Sequence, residues 1–195
     1  MKRIKNNLKD WAIRHAEGPH SKFWLSALSF AESSFFPIPP DVLLIGILLS
    51  NQARRWLFYS LLTTVMSVFG GLFGYLIGFV FFEAIGGRII ELYSLEAGFE
   101  KVQTFYDQNA FWAVFIAAFT PIPYKVFTLA AGVAEINLLA FVLASALGRG
   151  LRFLTEGFLL KIFGDKIAGV LYKYFNFFSL LLLVLVLIVL YLILN

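Results

Sequence analysis

The 195-residue chain has no cysteine and only two histidines. Without cysteine there can be no disulfide, thiol nucleophile or thiolate metal site, and the redox compartment cannot be read. His15 and His20 both sit near the N-terminus. The apolar body therefore holds no serine–histidine pair and no metal cluster, so no metal, cofactor or enzyme activity is expected. Charge is scarce as well: 14% of residues are charged against 60% hydrophobic, which excludes an ordinary soluble domain. The net charge of +4 is modest and forms no nucleic-acid patch. Proline occurs six times, and five of the six fall in two short clusters.

Those clusters organise the rest of the chain. Phe30-Ala-Glu-Ser-Ser-Phe-Phe-Pro-Ile-Pro-Pro-Asp-Val-Leu-Leu-Ile-Gly46 is an apolar run broken at Pro37, Pro39 and Pro40. Proline lacks a backbone donor and clashes with the preceding turn, so two short helices meeting at a break are expected. Phe119-Thr-Pro-Ile-Pro-Tyr-Lys-Val-Phe127 repeats the Pro-Ile-Pro core, with Pro121 and Pro123, and has Lys125 where the first copy has Asp41. Two matching proline-broken segments in the two halves of a membrane protein point to a transport site.

The expected fold is an all-α integral membrane protein, an inverted repeat of re-entrant helical hairpin plus transmembrane helix. Residues 1–21 form a basic amphipathic stretch, with Ile4, Leu8, Trp11 and His15 at helical spacing, expected to lie in the interface. A membrane core follows over 22–160, with hairpins at 22–50 and 110–134 and spans at 56–82 and 138–160. The 83–108 stretch between the halves holds five acidic residues against two basic and is expected to lie outside as a loop with a surface helix near 95–106. Residues 161–195 are expected as a cytoplasmic linker and a C-terminal span, because 177–194 is an 18-residue apolar run interrupted by Ser179. The positive-inside rule places the N-terminus and Arg54-Arg55 together in the cytoplasm, so the segment between them should enter and leave by one side. The membrane expected is the bacterial inner membrane, crossed several times.

Two carboxylates and a basic helix face carry the candidate chemistry. Glu32 lies about ten residues into its half-helix, hence ~15 Å deep at ~1.5 Å per residue. A carboxylate there is tolerated when protonated, paired or facing a water-filled cavity, so proton coupling is the role expected of Glu32 and Asp41. Asp41, after Pro40, equally suits a helix-capping role. Ser33 and Ser34 are expected as polar support or as back-bonders to their own helix. Arg149, Arg152 and Glu156 share one helix face at i, i+3 and i+7. Arginine's fork of donors suits a phosphate, and Lys125 begins another half-helix, whose free amides attract anions. Arg149, Arg152 and Lys125 are therefore the expected phosphate-binding set, with Glu156 as support. The competing reading makes Arg152–Glu156 an internal salt bridge.

Glu32 before Phe36-Pro-Ile-Pro-Pro-Asp41, the Gly70-Gly71-x-x-Gly74 ridge, the Phe119–Phe127 segment, Ala131-Gly132 and the Gly148-Arg149-x-x-Arg152 pair together resemble the DedA (SNARE-associated, or VTT-domain) family. The resemblance covers roughly residues 22–160. It implies paired re-entrant hairpins and lipid movement across the bilayer, with the family's membrane acidic residues on Glu32 and Asp41 and its arginines on Arg149 and Arg152. Many members carry an arginine at the position of Ala118, and the Pro-Ile-Pro-Tyr-Lys form marks a divergent branch. The expected partners are membrane lipids bearing phosphate, and assembly of several copies is compatible with the chain. The expected function is a lipid flippase or scramblase for a phospholipid or polyprenyl phosphate. The alternative is a non-transporting membrane module that organises lipids or partner proteins.

Overall fold

The computed structural model describes residues 20–164, apart from Pro37, Ser94, Leu95 and Pro121. The expected interfacial helix at 1–17 and the C-terminal span at 177–194 lie outside the described residues. Everything regular within them is helical. Helix α1 (Ser21–Ser34) ends before the first proline cluster, and α2 (Asp41–Ile47) begins directly after it. A π-helical turn (Leu48–Gln52) and a 3-10 turn (Ala53–Arg55) lead into the 26-residue α3 (Trp56–Phe81). A second π turn (Phe82–Gly86) joins the short α4 (Gly87–Tyr93). Helix α5 (Glu96–Phe119) stops at the second proline cluster, α6 (Tyr124–Val133) starts on its far side, and α7 (Leu138–Phe163) is again 26 residues long. The order helix, proline break, short helix, long helix therefore occurs twice.

One element differs from the sequence expectation. The stretch placed in an outer loop at 83–108 is mostly helical, and α5 runs unbroken from Glu96 into the arm expected to begin at 110. The physical reason is local. After Gly98 no glycine or proline occurs before Pro121, so nothing interrupts hydrogen bonding between the acidic surface turns and the apolar ones.

The long helices are polar inward and apolar outward. On α3, Ser60, Thr63, Thr64, Ser67 and four glycines are buried, while Leu61, Val65, Phe69, Phe73 and Leu76 are exposed. On α7, Ser145, Arg149 and Glu156 are buried while Leu139, Leu143, Leu147 and Leu151 are exposed. An apolar exterior this continuous is the mark of a membrane- or protein-contacting surface. The stretch Trp56–Gly86 and α7 are both long and apolar enough to cross a membrane. At ~1.5 Å per residue, 26 residues reach ~39 Å against a hydrocarbon core of ~30 Å.

Glycine sets how closely the short helices approach the long ones. A Cβ on Gly70 would lie 2.1 Å from the Phe30 carbonyl oxygen of α1, and one on Gly132 would lie 1.9 Å from the Tyr75 carbonyl oxygen of α3. Both neighbours are backbone and cannot swing aside. Gly132→Ala should therefore cost ~1–3 kcal/mol or more through overpacking. Gly150→Ala, whose new methyl would meet only Thr64 Cγ2 at 3.8 Å, should be tolerated. Thermal unfolding of the detergent-solubilised protein checks this. Equal melting of the two variants would show that the close crossing is not needed.

Candidate functional site

Two apolar clusters pack around the two proline breaks. Leu25, Leu43, Leu44, Ile47, Tyr59 and Phe153 belong to one, and Val114, Ala118, Tyr124, Ala131 and Phe141 to the other. A ring from each flanks the Arg149 guanidinium, with the Tyr124 ring centroid 4.7 Å and the Phe153 centroid 5.0 Å from its central carbon. Arg149 is 2% exposed. A cation this deep must be paired and hydrogen-bonded.

It is. Arg149 Nη2 forms an ion pair with Glu32 and donates to Ser33 Oγ at 2.9 Å, and its Nε donates to Ser67 Oγ at 2.5 Å. Ser33 and Ser67 are themselves hydrogen-bonded at 2.6 Å. The guanidinium thereby ties α1 and α3 to α7. Tyr124 donates its hydroxyl to Ser145 Oγ, which holds the ring over Arg149.

Arg152, one turn further along α7, reaches both breaks. Its Nη2 and Nε donate to Asp41 Oδ1 at 2.6 and 3.2 Å, and its Nη1 donates to the Thr120 carbonyl oxygen at 2.9 Å. The second bond satisfies a carbonyl left without an intrahelical donor beyond the end of α5. Lys125 Nζ donates to the Phe36 carbonyl oxygen at 3.2 Å, across from the second break to the first. Thr128 Oγ1 donates to the Ser33 carbonyl oxygen at 3.2 Å, a further link between the halves. Charged and polar groups thus join the two broken segments. The VTT domain matches residues 36–161, well over half of the chain.

The chain belongs to the VTT-domain (DedA) family. That family is membrane-associated and linked with membrane transport. Among relatives of this VTT-domain protein, an uncharacterized protein of Haemophilus influenzae is 38% identical over 173 residues, 88% of each chain. An uncharacterized protein of Histophilus somni is 34% identical over 177 residues, 90% of this chain and 91% of its own. No solved structure matches the chain.

Most sequence-predicted site residues of this VTT-domain protein come together. Glu32, Ser33, Asp41, Arg149, Arg152 and Glu156 form one cluster, with Pro39 and Pro123 flanking it at the breaks. Pro37 and Pro121 are outside the described residues. Ser34 is a back-bonder, donating to the Phe30 carbonyl oxygen as well as to that of Gly70. Asp41 lies in the first turn of α2, where the helix dipole favours an anion, and its carboxylate accepts from Arg152. The competing salt bridge also falls: the partner of Arg152 is Asp41, 111 residues away, and not Glu156 one turn along. Lys125 stands apart, half-buried at the Phe36 carbonyl rather than among the guanidiniums.

Sequence reasoning missed Ser67, Tyr124, Phe153 and the Thr120 carbonyl as partners of the arginines. A serine in the middle of the most apolar helix was the available signal for Ser67. The two rings carried none, because the chain has 23 phenylalanines and 8 tyrosines.

Proposed function

We propose that this protein moves a phosphate-bearing lipid, a phospholipid or polyprenyl phosphate, across the membrane, with its proton-binding carboxyls coupled to the movement. One observation carries the reading. Two guanidiniums sit midway along a membrane-length helix where both proline-broken segments meet, each held by a carboxylate that a phosphate could replace. Arginine's fork accepts either anion in the same bidentate geometry. A carboxylate that gains a proton loses its charge and its hold on the fork, so proton binding at Glu32 or Asp41 would free a guanidinium for the lipid phosphate. Lys125, whose amine keeps donors beyond its single bond to Phe36, would meet the phosphate at the breaks. In this reading the two broken segments are re-entrant hairpins of opposite orientation, and the lipid tails stay against the apolar exterior.

A second reading also has an observation in its favour. Both arginines are satisfied internally, and Arg149 is almost fully enclosed. A module that organises lipids or partner proteins without moving them would need nothing more.

Purified protein reconstituted into liposomes decides between the two. Translocation of a labelled phospholipid or polyprenyl phosphate is expected, with a rate that changes with pH. No movement of any phosphate-bearing lipid would leave the second reading. The hairpin topology has its own check in this cysteine-free chain. Single cysteines at Asn51 and near the N-terminus should be labelled from the same side, and one at Gln103 from the other. Labelling of Asn51 and the N-terminus from opposite faces would overturn the re-entrant arrangement.

A further inference from the structure

Glu156 is the one carboxyl of the cluster that forms neither of its ion pairs. It lies on α7 one turn beyond Arg152 and is 7% exposed. The ion pairs of the cluster are Arg149–Glu32 and Arg152–Asp41, and Glu156 is in neither. Its carboxyl instead lies beside that of Asp41, one helical turn from the guanidinium that Asp41 holds. The other charges acting on it are Arg152 and Arg149 of its own helix, and Glu32 of α1 acts in turn on Arg152. Lys125 is engaged at the Phe36 carbonyl.

The charge count follows from these residues. Three carboxyls, Glu32, Asp41 and Glu156, share an enclosed cluster with two guanidiniums. If all were ionised, the cluster would bury one uncompensated negative charge, with two carboxylates in contact. Contact between two carboxyl groups is attractive only when a proton lies between them, as a donor O–H on one facing an acceptor oxygen on the other.

We propose that Asp41 and Glu156 hold one exchangeable proton between them, and that Glu156 passes this proton to Asp41 when Arg152 leaves for a phosphate. The transfer balances. The Glu156 O–H bond breaks and an Asp41 O–H bond forms, while the guanidinium keeps its charge throughout. Asp41 becomes a neutral acid as its cation departs, and the unpaired negative charge passes to Glu156. Uptake of one proton from solvent by Glu156 then closes the balance. The proton belongs to the pair rather than to either residue. Glu156 is thus a proton-positioning residue for Asp41, and this role rests on the transport reading. The shared proton itself does not.

Infrared difference spectroscopy of the purified chain in detergent tests the proton without any transport assay. At neutral pH the wild type should show the C=O stretch of a protonated carboxylic acid, shifting in D2O. Glu156→Gln should remove that band. Should Glu156→Gln fail to fold, Glu156→Asp should move the band in frequency, because the acid carrying it has changed. A wild type with no protonated-acid band, or a band unaltered by both variants, overturns the proposal. In liposomes, Glu156→Gln should slow lipid movement and flatten its dependence on pH. A slowed variant with the wild-type pH profile would make Glu156 merely structural and overturn the relay. A wild type that shows the band and moves no lipid would overturn the transport reading and leave the shared proton standing.

Discussion

Arg149→Ala should destabilise the protein by ~3–5 kcal/mol, the usual cost of breaking a buried ion pair from one side. The loss has three parts on the same side chain. Glu32 is left as a partly buried carboxylate without its cation, Ser33 and Ser67 lose a charged donor, and the Tyr124 and Phe153 rings face a void. Arg149→Lys keeps the charge but cannot reach Glu32, Ser33 and Ser67 with one fork, so ~1–3 kcal/mol should still be lost. Adding Glu32→Gln to Arg149→Ala should recover part of the stability, since the unpaired charge is then gone. Thermal unfolding in detergent measures all of these. An Arg149→Ala protein that melts with the wild type would show that the pair does not hold α1 to α7.

Arg152→Ala should be nearly as severe, and its rescue identifies its partner. Removing Arg152 strands Asp41 and uncaps the Thr120 carbonyl. Asp41→Ala in the same protein should restore stability with a coupling of ~1–3 kcal/mol, as expected for residues in direct contact. Glu156→Ala should restore much less, because Glu156 is not the residue Arg152 neutralises. If Arg152 is the phosphate ligand of the proposed transport, the Arg152→Ala/Asp41→Ala protein should nonetheless stay inactive in lipid movement, since removing a competitor does not replace a ligand. Equal rescue by Glu156→Ala would return Arg152 to an internal pair along α7. Full recovery of lipid movement in the Asp41 double variant would leave Arg152 a purely structural role.

What the sequence determined alone is local in origin. Proline positions set both breaks, because a missing donor and a ring clash act within one helical turn. Uninterrupted apolar runs set α3 and α7, and helical periodicity placed Arg149, Arg152 and Glu156 on one face. The membership of the cluster was therefore legible: Glu32, Asp41 and the arginines stood out as charges within apolar segments. The continuity of α5 was less so, because the switch from acidic to apolar composition near residue 109 looked like a boundary while the backbone had no reason to stop.

Only the tertiary structure decided who pairs with whom. Glu32 lies 117 residues from Arg149, and Asp41 lies 111 from Arg152. Neither distance is encoded in any periodicity. The pairing depends on how α1 and α2 cross α3 and α7, and those crossings depend on contacts such as Gly70 with Phe30 and Gly132 with Tyr75. From sequence, Glu156 one turn away was the competing partner of Arg152, since residues at i and i+4 are neighbours on a helix face. In the folded protein Asp41 occupies that guanidinium instead, because α2 enters the cluster beside it, and Glu156 is left facing a second carboxyl. Helical spacing fixes which side chains share a face, but the charge that meets a side chain from across the core is set by helix packing.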